Sequence, residues 1–122
     1  MTAQGNIFVV SAPSGTGKTT LNRRLVEEHK SVELSISYTA RPKREQEIDG
    51  EHYHFVAPAD FKRLIERGEM LEWAEVFGNM YGTGRSEIKR IQQAGHDVLL
   101  EIDVQGWHYA RQKLDEATAI FI

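Results

Sequence analysis

Residues 7–19 read Ile7-Phe8-Val9-Val10-Ser11-Ala12-Pro13-Ser14-Gly15-Thr16-Gly17-Lys18-Thr19. The stretch opens as a short, unbroken apolar run, which suits a strand buried on both faces of a parallel sheet. It passes through a turn-rich segment into a helix read over residues 18–30, with Leu21, Leu25 and Val26 as its apolar stripe. The turn fits the phosphate-loop pattern G-x-x-x-x-G-K-[ST], except that Ala12 stands at the first glycine position. The physics survives that exchange. Gly15 and Gly17 let backbone N–H groups turn inward as an anion nest, and the helix adds the positive end of its dipole. The Lys18 ammonium can then reach the β- and γ-phosphates of a nucleotide, and the Thr19 hydroxyl can ligate Mg²⁺. An ordinary Gly-rich turn shows the same glycines; the strand before it and the helix after it favour the phosphate loop.

A second apolar run, Val98-Leu99-Leu100, leads into Glu101 and Asp103. Read as one strand over 98–103, it puts both acids at the carboxyl edge, where open α/β sheets bind ligands. Alternate strand residues point the same way, so both carboxylates would face one side and serve Mg²⁺ or a ligand. Solvated acids, or a cap on the next helix, remain an equal alternative. A helix over 105–114 and a strand over 117–122 follow. Strand and helix alternate at both ends of the chain, which implies an α/β fold with a parallel sheet flanked by helices.

The middle breaks that rhythm. A strand is read over 31–37, then a loop over 38–50 rich in charge, Pro and Gly. Residues 58–68 form a helix opened by Pro58 and closed by Gly68, with Phe61, Leu64 and Ile65 inward. Alternation over 70–76 suggests a half-buried strand, and 86–94 a helix stopped by Gly95. The stretch from Ser37 to Thr83 therefore reads as an inserted subdomain, 37–83, within a core of 1–36 and 84–122.

Bulk composition excludes several classes. The 122 residues are 40% apolar, enough for a core, and the net charge of −3 gives no footprint for nucleic acid. The absence of cysteine rules out disulfides and thiolate metal sites. No apolar run approaches the ~20 residues of a membrane span, and no signal stretch opens the chain, so a soluble cytoplasmic protein is the expectation. His52 and His54, read on one strand face, lack a third ligand and are taken as surface residues.

Six ordered segments carry a resemblance. They are Ser-Ala-Pro-Ser-Gly-x-Gly-Lys-Thr from Ser11, Ser-x-Thr-x-Arg-x-x-Arg from Ser37, and Asp49-Gly50-x-x-Tyr53-x-Phe55. Then come Leu71-Glu72-Trp73-Ala74, Gly78-Asn79-x-Tyr81-Gly82-Thr83, and Glu101-Ile102-Asp103-x-Gln105-Gly106. From about Ile7 to Ile122 the chain resembles guanylate kinases, whose bacterial members also carry Ala at the Ala12 position. The resemblance implies a P-loop nucleoside monophosphate kinase that transfers the γ-phosphoryl of ATP to GMP with Mg²⁺. ATP would be held by Ala12, Pro13, Ser14, Gly15, Thr16, Gly17, Lys18, Thr19 and Thr20. GMP would be held by the inserted subdomain. Arg41 and Arg44 suit a phosphate monoester through forked, charge-assisted hydrogen bonds, and Tyr53 and Tyr81 add phenolic donors. Glu72 would accept from guanine N1–H and the exocyclic amine, with Ser37, Thr83 and Asp103 also near the base. Lys18, Arg41 and Arg44 are the expected catalytic set, and Thr19 with Glu101 the expected metal set.

Guanylate kinases run longer, with a lid bearing arginines and C-terminal helices. The expectation is a chain truncated before those parts, slow in turnover, and prone to self-association through an uncovered C-terminal strand. A rival is a guanylate-kinase-like domain that binds nucleotide or peptide without catalysis. Such domains have damaged phosphate loops, and intact Gly17-Lys18-Thr19 argues against them here.

Overall fold

The computed structural model describes residues 5–11, 18–114 and 117–121. In chain order the elements are β1 (Ile7–Ser11), α1 (Lys18–Glu28), β2 (Val32–Leu34), β3 (Tyr38–Thr39), β4 (His54–Phe55) and α2 (Pro58–Glu66). They continue as β5 (Met70–Val76), β6 (Asn79–Gly84), α3 (Arg85–Gln93), β7 (Asp97–Glu101), α4 (Val104–Ala110) and β8 (Thr118–Phe121). The chain divides into two compact units, one of Met1–Ser35 with Glu87–Ile122, the other Ile36–Ser86.

The first unit is built on a four-stranded sheet in the order β2-β7-β1-β8, every neighbouring pair parallel. Its central strands are the two unbroken apolar runs. Val9, Val10, Val98, Leu99 and Leu100 are all buried, as strands covered on both faces require. α1 packs on β1, β2 and β7, and α4 on β1. β8 pairs with β1 and forms an edge of this sheet, with Ile120 exposed.

Two expectations fail in this unit. Leu21 is exposed, and Asn22 takes the fully buried position on α1 instead. Neither polar atom of the Asn22 amide has a hydrogen-bond partner among the described residues. A buried amide left unpaired costs about 1–3 kcal/mol, and leucine offers the same branched arrangement of side-chain heavy atoms without the polar groups. Asn22→Leu is therefore expected to raise stability by about that amount, read as a higher urea midpoint at unchanged m-value. An unchanged or lower midpoint would mean that the amide is satisfied in solution. The second failure concerns Asp103. β7 ends at Glu101, and Asp103 is the N-cap of α4, its Oδ1 accepting the Gly106 N–H at 2.6 Å. The two acids therefore do not share one strand face; a short side chain with an acceptor oxygen won the cap position instead.

The second unit holds a mixed sheet in the order β4-β3-β6-β5. β3 runs parallel to β4 and antiparallel to β6, while β5 and β6 form an antiparallel hairpin. β3 lies inside the stretch read as loop, and β6 was not read as a strand at all. The glycines that argue against β6 are required by close approach. A Cβ on Gly82 would meet the Glu72 carbonyl at 2.8 Å, and one on Gly84 would meet the Tyr38 ring at 2.6 Å. The hairpin turns through Phe77 and Gly78, both at positive φ (50° and 79°), which matches the twist of paired strands. The alternation expected over 70–76 is broken by an irregularity between Met70 and Glu72. Met70 and Leu71 are both buried, and Trp73 onward is exposed. α2 opens at Pro58, where the missing N–H is harmless, and buries Phe61 completely.

Candidate functional site

The second unit gathers the residues expected at GMP, apart from Asp103. Its organising group is Arg41, just beyond β3. Thr39, fully buried, donates its hydroxyl to the Met80 carbonyl at 2.9 Å and accepts the Arg41 N–H at 3.2 Å. The Arg41 backbone is thus tied to the sheet. Its guanidinium lies 5.6 Å from the Tyr53 ring centroid and 5.8 Å from that of Phe55, within cation–π range. Tyr53 in turn meets Tyr81 edge-on at 5.8 Å and Phe55 at 5.7 Å.

Arg41 also forms a forked ion pair that the sequence reading did not include. Nη1 donates to Glu47 Oε1 at 2.8 Å and Nη2 to Oε2 at 2.7 Å, and both side chains are largely shielded from solvent. The Arg44 N–H reaches the same Oε1 at 2.8 Å. The Arg41 hydrogen bond, followed by that backbone N–H, holds the Glu47 carboxyl down at about 2. Arg41 is pushed up chiefly by its bond to Glu47, with burial opposing and Tyr81 adding a smaller upward push. The lowered carboxyl sets the sign. The pair's contribution is present above the ordinary glutamate range and is lost as the pH falls towards about 2. A carboxylate six residues after Arg41, in a loop holding Arg41, Lys43 and Arg44, was the available signal; no local rule says which cation it meets.

The loop between Arg41 and Tyr53 is strapped down elsewhere as well. Lys43 Nζ donates to the Glu47 carbonyl at 3.0 Å, and Asp49 Oδ1 accepts the Phe55 N–H at 3.0 Å. Gly50, at φ +88°, donates its N–H to the Tyr53 carbonyl at 2.8 Å. Arg44 has an exposed side chain and reaches the forked pair through its backbone N–H.

A carboxylate stands on the hairpin of the same unit. Glu72 on β5 is in register with Thr83 on β6, and the Thr83 hydroxyl donates to Glu72 Oε1 at 2.8 Å. Thr83 is buried and Glu72 partly exposed, so the bond fixes the orientation of a carboxylate that still meets solvent. Tyr81 lies two residues before Thr83 and shares its face of β6, as Glu72 shares that face across the pair. Ser37 directly precedes β3, its carbonyl accepting the His54 N–H at 2.8 Å. His52 lies outside β4, its Nδ1 accepting the Ile48 N–H at 3.0 Å, while the His54 ring tilts over Tyr38 at 4.7 Å. The expected shared strand face of the two histidines is therefore absent.

The first unit holds the remaining expected residues. Residues 12–17, expected at the nucleotide phosphates, lie outside the described residues. Lys18 opens α1, with Thr19 and the exposed Thr20 following. Glu101 ends β7 in register with Val10 of β1, at the carboxyl edge of the sheet. Asp103 caps α4, as described above. Among the described residues, no group of three or more His, Cys, Asp or Glu is placed to hold a metal ion.

Comparison with known proteins adds a family. The family described as Guanylate kinase matches residues 4–122. The guanylate kinase of Neisseria meningitidis serogroup B is 53% identical over 119 residues, which cover 98% of this chain and 58% of that protein. That of Dechloromonas aromatica is 54% identical over 118 residues, 97% of this chain and 58% of its own length. The solved guanylate kinase of Anaplasma phagocytophilum aligns with a TM-score of 0.76 at 36% identity, covering 98% of this chain and 61% of that one. The chain thus spans a little under three-fifths of these two curated relatives.

Proposed function

Since this chain belongs to the guanylate kinase family, we propose that its second unit binds GMP, and that the protein transfers the γ-phosphoryl of ATP to that acceptor. The observation that carries the reading is the pairing of two complementary groups in one unit. A guanidinium framed by Tyr53, Phe55 and Tyr81 suits a phosphate monoester. A carboxylate oriented by Thr83 suits the adjacent N1–H and amine donors of guanine. Adenine presents an acceptor at N1 and is mismatched to such a group.

In this reading Arg41, Arg44, Tyr53 and Tyr81 hold the acceptor phosphate, and Glu72, with Ser37 and Thr83, reads the base. Thr83 contributes mainly through Glu72, because its hydroxyl proton is already donated there. Residues 12–20 bind ATP, and Lys18 neutralises charge on the transferring group. Phosphoryl transfer needs little covalent chemistry from the protein. Holding donor and acceptor phosphates in line and stabilising their charge accounts for most of the catalysis.

Mg²⁺ belongs with ATP in this scheme, where it would neutralise phosphate charge. The fit is of the expected kind. Glu101 ends β7 at the carboxyl edge of the sheet and would serve an ion held mainly by nucleotide oxygens and water, with the Thr19 hydroxyl expected as a further ligand. The reading places the reaction in the purine nucleotide metabolism of the cytoplasm. Consistent with this, no helix among the described residues is long and apolar enough to cross a membrane. The edge position of β8, with Ile120 exposed, supports self-association through that strand.

A coupled assay for ADP release from MgATP tests the proposal. Release that depends on GMP and falls away with AMP is expected. Equal release with either acceptor, or release that ignores both, would contradict it.

A further inference from the structure

We propose that Glu47 is a positioning residue of the acceptor site, holding the Arg41 guanidinium by one edge so that its other edge faces the phosphate of the bound monophosphate. The inference rests on the acceptor-site reading given above and extends it to a residue with no assigned role. A guanidinium carries five N–H donors in a rigid plane. Glu47 takes one from Nη1 and one from Nη2, the end-on arrangement, and the Pro42 carbonyl takes the other Nη1 hydrogen at 3.1 Å. That leaves Nε–H and the second Nη2–H outside the pair, with the Tyr81 hydroxyl the other side-chain group bonded to Arg41. These two N–H groups point along the same side of the plane, at the spacing of two oxygens of one phosphate.

Glu47 is itself held from the loop. Its Oε1 also accepts the Arg44 N–H at 2.8 Å, and its own N–H donates to the Arg44 carbonyl at 3.0 Å. Its carbonyl accepts from Lys43 Nζ at 3.0 Å. The carboxylate is therefore anchored by groups other than Arg41. Arrival of a phosphate need not displace it, because the side edge of the guanidinium is a separate pair of donors. Tyr53 and Phe55 restrain the guanidinium further, and the Tyr81 hydroxyl lies beside it. A long, flexible side chain is thus ordered before the ligand binds, which lowers the entropy lost on binding.

Calorimetric titration of the chain and its Glu47→Gln variant, with GMP and with guanosine, tests this. Glutamine keeps the size but lacks the charge and the second acceptor. The variant is expected to bind GMP roughly tenfold or more weakly, the usual effect of losing a charge-assisted hydrogen bond. Guanosine affinity should stay unchanged, which also shows that the unit is folded. In an Arg41→Ala background, Glu47→Gln should cost nothing further, since its effect passes through Arg41. GMP affinity that is unchanged or raised by Glu47→Gln overturns the proposal. So does parallel loss of guanosine binding, or an equal loss in the Arg41→Ala background. If the unaltered chain binds GMP no better than guanosine, the acceptor-site reading itself has failed, and this one with it.

Discussion

Glu72→Gln is expected to remove most of the discrimination between GMP and AMP, with the affinity ratio falling by up to ~10⁴. Guanine presents two donors side by side, and the Glu72 carboxylate offers oxygens to both. Its Oε1 already accepts the Thr83 hydroxyl at 2.8 Å, which fixes how the carboxylate is turned. Glutamine keeps one acceptor and adds a donor. Turned one way, its amine faces guanine's own donors; turned the other, it faces Thr83, whose hydroxyl must then rotate to accept. Either way a donor on one side loses its partner. Sites built to hydrogen-bond a ligand group discriminate by ~10⁴–10⁵ against an analogue that leaves their polar atoms unpaired. Competition between the two monophosphates on the variant measures the ratio. If it stays at its original value, Glu72 does not read the base.

Lys18→Ala is the second large effect, and it should fall on the donor side alone. MgATP affinity is expected to weaken, and turnover to drop by roughly 10²–10³, as when one preorganised charge-stabilising donor is removed. GMP affinity should be nearly unchanged, because Lys18 is expected at the donor phosphates, while Arg41, Tyr53, Glu72 and Tyr81 are the groups proposed to hold the acceptor. Titrating the variant with each nucleotide separately checks both halves. MgATP affinity that survives the substitution would remove the phosphate-loop assignment.

What the sequence disclosed, and what it did not, follows physical lines. Strands β1 and β7 are unbroken apolar runs, and a strand covered on both faces has to be one, so the α/β class was legible. α2 was legible from Pro58 and the buried position of Phe61. β6 was not, because Gly82 and Gly84 weaken strand propensity locally, and only the approach of the Glu72 backbone and the Tyr38 ring explains them. The run from Val98 was extended two residues too far. Nothing local separates a carboxylate on the strand from one capping the next helix, and the bond from Gly106 to Asp103 decides it. Asn22 in place of Leu21 at the buried position of α1 contradicts any stripe drawn from hydrophobicity. Glu47 was invisible for another reason. In a loop with three cations, which one a carboxylate meets depends on the path of the chain, here set partly by Thr39 and Gly50.

The central claim is that Ile36–Ser86 forms a site for a guanine monophosphate, and one calorimetric comparison tests it most directly. GMP, guanosine and AMP are titrated separately into the unaltered chain. The account predicts that GMP binds at one site per chain and tightest of the three. Guanosine is weakened by loss of the phosphate that Arg41 and the tyrosines would hold, and AMP by its mismatch with Glu72. Equal affinity for all three ligands, or no binding of GMP at all, would contradict it.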